Sequence, residues 1–302
     1  MKTAFDLEDY LAAEGARVES ALARSVEALH GRLDEDVRLA LGHGVLSGGK
    51  RIRPILCVTA YRAAGGTACD ERIYDLAASL ELIHAYSLMH DDLPCMDDAE
   101  LRRGKPTTHR AHGEDLTTRA GAALIPAAAL QAWTAAEAMG CDQATRARVV
   151  RALMEAAGGG GMVGGQWLDL DAEGRSLGAD ELDGLHRRKT GALLTASLVM
   201  GAEAAGAPPE VRASLQGYGR AIGLAFQIAD DILDATSTVE ALGKHPSDAH
   251  LEKSTYVSVY GLAEAERHAR AQVEEACGVL RDGGVEAPAL EALARFVVDR
   301  QH

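Results

Sequence analysis

The chain has 302 residues, a formal charge of −14, few aromatics at 4%, and five cysteines with no C-x-x-C spacing. The charge excludes duplex nucleic acid as a partner, since such binding needs a basic footprint, but leaves anionic small molecules open where cations or metal ions are concentrated locally. The cysteines give neither a disulfide framework nor a zinc site. Acids near the start (Asp6, Glu8, Asp9) and the lack of about 18 uninterrupted apolar residues point to a cytoplasmic protein with no membrane span.

Ala, Leu and Glu dominate the long stretches, which predicts an all-α chain. The first break, Gly42 to Gly49, leads into Gly49-Lys50-Arg51-Ile52-Arg53-Pro54. This nearly matches a nucleotide phosphate loop, but Arg51 stands where Ser or Thr would bind Mg²⁺ and no strand precedes it. Lys50, Arg51 and Arg53 beside glycines still offer cations to a metal-free diphosphate.

From Ile73, the residues Leu76, Ala77, Leu80, His84, Ser87, Leu88 and Asp91 recur at three- and four-residue steps, one face of a long helix. It runs into Asp91-Asp92-Leu93-Pro94-Cys95-Met96-Asp97-Asp98. On an unbroken helix Asp91 and Asp97 would point about 120° apart, and Pro94 permits the break that lets them converge. The order of ligands does not fit a calcium loop. Directly after the acids comes the basic run Arg102-Arg103-Gly104-Lys105, as if phosphate oxygens were bridged by metals on one side and Arg on the other.

Helical cadence continues through residues 117–138, 146–157, 182–202, 212–234 and 264–280, with breaks at Gly65-Gly66, Gly158 to Gly165, Pro208-Pro209, Gly243 to Pro246 and Gly283-Gly284. No strand is expected. None of the breaks is long enough for an interdomain linker, so 1–302 reads as a single domain. The strongest signal is Phe226-Gln227-Ile228-Ala229-Asp230-Asp231-Ile232-Leu233-Asp234, where Gln227, Asp230, Asp231 and Asp234 form a polar stripe in an apolar helix. Three carboxylates on one face repel one another unless a cation joins them, and oxygen ligands of this kind suit Mg²⁺. Weaker signals are Lys189-Thr190-Gly191, Lys244 and Lys253. The eleven histidines show no zinc-binding spacing, and His43, His109, His112 and His186 read as structural or exposed.

Taken in order, Gly-Gly-Lys50-Arg-Ile-Arg53-Pro, Asp91-Asp92-x4-Asp97, Arg102-Arg103-Gly, Gly-Gly-Gln166-x-Leu-Asp169-Leu, Lys189-Thr190-Gly, Phe-Gln227-x2-Asp230-Asp231-x2-Asp234 and Gly-Lys244 through Lys253 resemble the polyprenyl synthetase family, in particular its bacterial farnesyl diphosphate synthase branch. The match spans about residues 40 to 260. The resemblance implies one large helical bundle around a central cavity, usually a homodimer, with the two acidic motifs facing each other across the cavity mouth. It implies a catalytic set of Asp91, Asp92, Asp97, Lys189, Asp230 and Asp231. Within it Asp91, Asp97 and Asp230 would bind Mg²⁺, and Asp92, Asp231 and Asp234 would support them. Arg102, Lys189, Thr190, Gln227, Lys244 and Lys253 would hold an allylic diphosphate; Lys50, Arg53, His84 and Arg103 would hold isopentenyl diphosphate. The implied reaction condenses isopentenyl diphosphate with dimethylallyl or geranyl diphosphate to farnesyl diphosphate.

Tyr86, five residues before Asp91, matches the position that sets chain length in the family, although a helical wheel puts it about 140° from Asp91. Three departures bear on loop closure and substrate range: Ala122 where the family usually has Asp, Ala111-His112 in place of a commonly aromatic stretch, and a short Lys244-to-Asp248 loop with Ser247. Alternatives are a geranyl or geranylgeranyl product, a terpene cyclase, against which the Lys50–Arg53 segment discriminates, and a non-catalytic subunit that binds prenyl diphosphates.

Overall fold

A computed structural model describes residues 5–67, 71–236 and 254–299. Helix α1 (Leu7–Glu27) starts where the Asp6 carboxylate accepts the Asp9 N–H at 3.1 Å, and its Val18, Ala21, Leu22 and Val26 stripe is buried. Then follow α2 (Glu35–Val45), α3 (Ile52–Ala63) and α4 (Arg72–Asp91). A small hairpin, β1 (Leu101–Arg102) and β2 (Lys105–Pro106), leads to α5 (Thr108–His112), α6 (Glu114–Ala138), α7 (Gln143–Ala157) and α8 (Met162–Asp171). Helix α9 (Ala179–His186) passes through a π-helical turn, Arg187–Gly191, into α10 (Ala192–Ala204). The chain continues with α11 (Pro209–Thr236), α12 (Tyr256–Tyr260), α13 (Leu262–Asp282) and α14 (Pro288–Asp299).

The helices pack in pairs, α4 on α6, α3 on α10, α10 on α11 and α11 on α13. One large apolar core runs through α1–α4, α6, α7, α10, α11, α13 and α14. A smaller core gathers Leu182, Leu224, Ile228, Tyr256, Ala265 and Ala269 where α9, α11, α12 and α13 meet. A narrow apolar crevice between α3, α10, α11 and α14 is lined by Leu56, Leu194, Ile222, Phe226 and Phe296, with Lys50 among its walls. No described helix is long and apolar enough to cross a membrane.

The all-α expectation holds, with two local differences. The hairpin between β1 and β2 was not foreseen: Arg103 and Gly104 both take positive φ (55° and 73°), the requirement of a tight two-residue turn, and 2-residue strands are too short to show alternation. The expected helix over 182–202 is divided by the π turn at Arg187–Gly191. A π turn adds a residue to the helical register without needing Gly or Pro to mark it, so periodicity runs straight through it.

Candidate active site

The first acidic cluster forms where α4 stops. After Asp91 the chain turns back on itself, so that the Asp97 N–H donates to the Asp91 carbonyl at 2.9 Å and the Asp98 N–H to the Leu93 carbonyl at 3.1 Å. The turn removes the 120° divergence of a continued helix, and Pro94, lacking an N–H, sits where the helical ladder has already ended. Burial pushes the Asp91 carboxyl up to about 6; Lys189 and Arg102 pull it down, while Asp97 and Asp92 push it further up. Asp92 is buried and gripped by Arg102, whose Nε lies 2.9 Å from both carboxylate oxygens and whose Nη2 lies 2.6 Å from Oδ1. That grip uses one edge of the guanidinium and leaves its Nη1 donors for another oxygen.

The second cluster lies on α11. Asp231 is 3% exposed and accepts Gln227 Nε2–H and the Tyr256 N–H, both at 2.8 Å; Gln227 Oε1 in turn accepts the Thr190 hydroxyl at 3.0 Å. Asp230 and Asp234 are only partly buried, and the Asp230 charge acts on Arg53. The stripe predicted as one face therefore divides into two edges, Gln227–Asp231 and Asp230–Asp234, because neighbours step about 100° around a helix.

Lys189, on the π turn, donates to Asp169 of α8 at 2.5 Å. The two elements approach through Gly165: a Cβ there would lie 2.2 Å from the Lys189 amide nitrogen. Beside it, the Gln166 amide is buried with no hydrogen-bond partner for Oε1 or Nε2 among the described residues. Sequence reasoning noted its motif but gave Gln166 no role; the Gly-Gly-Gln166-x-x-Asp169 spacing was the available signal. An unsatisfied buried amide is costly, and a bound polar ligand would satisfy it.

The cations gather around His84. Burial holds its imidazole well below the usual range, with Arg53, Arg103, Arg102 and Arg51 pushing the same way, so the ring is neutral at pH 7. Burial likewise lowers Arg53, opposed by Glu81 and Asp230, and Arg103 lowers it further; its Nε is buried with no hydrogen-bond partner among the described residues. Arg103 donates to Ser47 Oγ at 3.3 Å and to the Gly48 carbonyl. It lies over Gly49 (φ 135°), where a Cβ would come 2.6 Å from Cζ. Arg51 does not join this cluster as an open cation. It is buried, with φ 51°, and donates to Glu19 at 2.7 Å, Glu81 at 2.6 Å and the Val45 carbonyl at 2.9 Å. Lys50 is exposed at the rim.

Tyr86 packs against the main core and meets His90 edge to face, 4.8 Å between ring centroids. Ala122 lies exposed on α6, and His112 meets His43 edge to face at 5.2 Å. Lys244, Lys253 and Ser247 lie outside the described residues. Among the described residues no three His, Cys, Asp or Glu side chains close into a metal cage.

The Asp91 carboxyl, which burial raises, thus lies within reach of Lys189 and Arg102, while Arg53, Arg102 and Arg103 crowd around His84. The polyprenyl synthetase family profile matches residues 35–290. The chain belongs to the polyprenyl synthetase family. It is 38% identical over 298 residues to a farnesyl diphosphate synthase of Geobacillus stearothermophilus, covering 98% of each. It is 39% identical over 304 residues to a geranylgeranyl diphosphate synthase of Cyanophora paradoxa, covering 100% of this chain and 99% of the other. Among solved structures, an FPP/GFPP synthase from Zymomonas mobilis superposes with a TM-score of 0.81 at 32% identity, covering 97% of this chain and 98% of that one. Among the described residues, Asp91 lies within electrostatic reach of Lys189 and Arg102, and Arg53 within reach of Asp230, so residues of five of the motifs that the sequence sets apart come together.

Proposed function

We propose that this short-chain prenyltransferase condenses isopentenyl diphosphate with dimethylallyl and then geranyl diphosphate to give farnesyl diphosphate. The observation that carries the reading is the juxtaposition of Arg53, Arg102 and Arg103 around a neutral His84 with the partly buried Asp91, whose carboxyl burial raises to about 6. A metal diphosphate would add cations beside the acids and anionic oxygens beside the arginines.

Asp91, Asp97 and Asp230 would hold Mg²⁺. The lack of a three-carboxylate cage among the described residues fits an ion that keeps several waters and is held by one or two carboxylates plus substrate phosphates. Once bound, Mg²⁺ supplies positive charge to the departing diphosphate. Lys189 and the open Nη1 edge of Arg102 would take the allylic diphosphate oxygens, and Thr190 and Gln227, already bonded to each other, would border it. Arg53, Arg103, His84 and Lys50 would hold isopentenyl diphosphate, with the neutral imidazole able to donate one hydrogen bond without adding charge to the crowded arginines.

The allylic C–O bond breaks with its electron pair leaving on the diphosphate. The isopentenyl double bond then attacks the allylic carbon, and the new cation loses a proton to the released diphosphate. Negative charge on the leaving group grows as the bond breaks, so fixed cations favour the transition state over the ground state. We further propose a homodimer, as is usual in the family.

The test is incubation of purified protein with Mg²⁺, labelled isopentenyl diphosphate and each allylic primer, followed by sizing of the products. Farnesyl diphosphate is expected from dimethylallyl and geranyl primers, and longer products from Tyr86→Ala. No incorporation with any primer refutes the reading, and a wild-type geranylgeranyl product replaces the farnesyl assignment.

A further inference from the structure

Tyr256 opens α12, is 1% exposed, stacks on Tyr260 of its own helix, and reaches three other parts of the site. Its N–H donates to Asp231 Oδ2 at 2.8 Å. Its hydroxyl donates to Asp183 Oδ1 on α9. Its ring stacks on His186 at the end of α9, 5.5 Å between centroids and 27° between planes. Just upstream, Ser254 Oγ accepts the Leu177 N–H at 2.9 Å and donates to the Arg175 carbonyl at 3.3 Å, which fixes the approach to α12 from the same side.

These contacts close a ring of interactions. From Thr190 the hydrogen bonds run to Gln227, to Asp231 and to the Tyr256 backbone. From the Tyr256 side chain they return through Asp183 and His186 to α9, whose last residue leads directly into the π turn carrying Lys189 and Thr190. A π turn has less favourable internal geometry than the α-helix on either side, so its shape depends on what holds it from outside. Tyr256 touches both the second acidic cluster and the helix that enters that turn, and His186, on which its ring stacks, itself lies 4.0 Å from Asp231.

We propose that Tyr256, acting through Asp183, is a positioning residue for the allylic-diphosphate half of the site, setting the place of Lys189 and Thr190 relative to Asp230. The inference rests on the prenyl-transfer reading. Packing alone does not account for the residue. The small core of Leu182, Leu224, Ile228, Ala265 and Ala269 would accept the ring of a phenylalanine equally well, whereas the hydroxyl and Asp183 form a polar link that packing does not need.

The test compares wild type, Tyr256→Phe, Asp183→Ala and Asp183→Asn. Binding of an unreactive allylic thiodiphosphate is measured by calorimetry in Mg²⁺, alongside separate allylic and isopentenyl KM values and melting curves. Displacement of a site by about 1 Å costs on the order of 100-fold, so partial loosening is expected to weaken analogue binding and raise the allylic KM about tenfold in Tyr256→Phe and Asp183→Ala. The isopentenyl KM should stay within about twofold, and Asp183→Asn, whose amide oxygen still accepts the hydroxyl, should retain wild-type values. Asp183 is partly exposed, so its variants keep the test open if Tyr256→Phe folds poorly. Unchanged analogue affinity in folded Tyr256→Phe or Asp183→Ala overturns the inference, as does an equal rise in both KM values. Failure of the wild type to bind the analogue overturns the prenyl-transfer reading itself.

Discussion

Arg51→Met should be among the most destabilising single changes in this chain, because it orphans a carboxylate that water cannot reach. Arg51 bridges Glu19 on α1 and Glu81 on α4, and its side chain is 3% exposed. The two partners differ in exposure, 40% for the Glu19 side chain and 4% for Glu81. Glu19 can turn to solvent, but Glu81 would stay buried without its hydrogen-bonded cation, and breaking a buried pair in that way costs about 3–5 kcal/mol. For a chain of this size each kcal/mol moves the midpoint by about 2 °C, giving a fall of roughly 6–10 °C in a thermal melt followed by circular dichroism. Adding Glu81→Gln to Arg51→Met removes the buried charge and should recover at least about 1 kcal/mol. A loss under about 1 kcal/mol in Arg51→Met, or a double variant less stable than the single, refutes the reasoning.

Two further outcomes follow from the site. Gly49→Ala sets a Cβ 2.6 Å from Arg103 Cζ at a φ of 135°, and should raise the isopentenyl KM by about tenfold or more with the allylic KM unchanged; equal shifts in both would refute the role given to Arg103. The Asp91 carboxyl, raised from 3.8 to about 6 chiefly by burial, keeps a proton in the metal-free fold that the unfolded chain gives up. The stability it contributes is therefore present below about pH 4 and lost as pH rises through about 6. Asn mimics the protonated acid, so the melting-temperature advantage of metal-free Asp91→Asn over wild type should grow from pH 4 to 6 and level off above. A constant difference across that range contradicts the assignment.

Much of the helical order was legible because burial imposes period. The stripe from Ile73 to Asp91 marked α4, and Gln227 to Asp234 marked the end of α11. The acids and bases could be read as a diphosphate site because like charges cluster only where something opposite joins them. Contacts made across the chain were not legible. Nothing local distinguishes Arg51 from Lys50 and Arg53, yet its left-handed backbone sends it to Glu19 and Glu81, 32 and 30 residues away. The convergence of Asp91 and Asp97 depended on a turn that Pro94 permits but does not specify. The π turn is hidden because its extra residue leaves the apolar spacing on both sides intact, and Tyr256 looked like one more residue after a weak lysine signal until Asp183, His186 and Asp231 were seen around it.

The two acidic clusters share a division of labour that neither spacing nor composition shows. In the pairs Asp91-Asp92 and Asp230-Asp231 the second aspartate is 3% exposed while the first is only partly buried, whereas both members of Asp97-Asp98 are exposed. A carboxylate so deeply buried survives only if its oxygens are met, and each has its own solution: the Arg102 guanidinium for Asp92, and the Gln227 amide with the Tyr256 N–H for Asp231. The helical step of about 100° between neighbours makes this possible, since it turns one member of the pair inward and leaves the other at the mouth. The inward aspartates fix Arg102, Gln227 and, through Gln227, Thr190 before any substrate arrives, so those groups need not be ordered at the cost of binding energy. Under the proposed function, a pair of identical residues would thus provide both a metal ligand and the support that holds its neighbours. For that reason, under the proposed function, Asp→Asn at the second position of either pair should disturb diphosphate binding through geometry, whereas the same change at the first should remove charge from the proposed metal site.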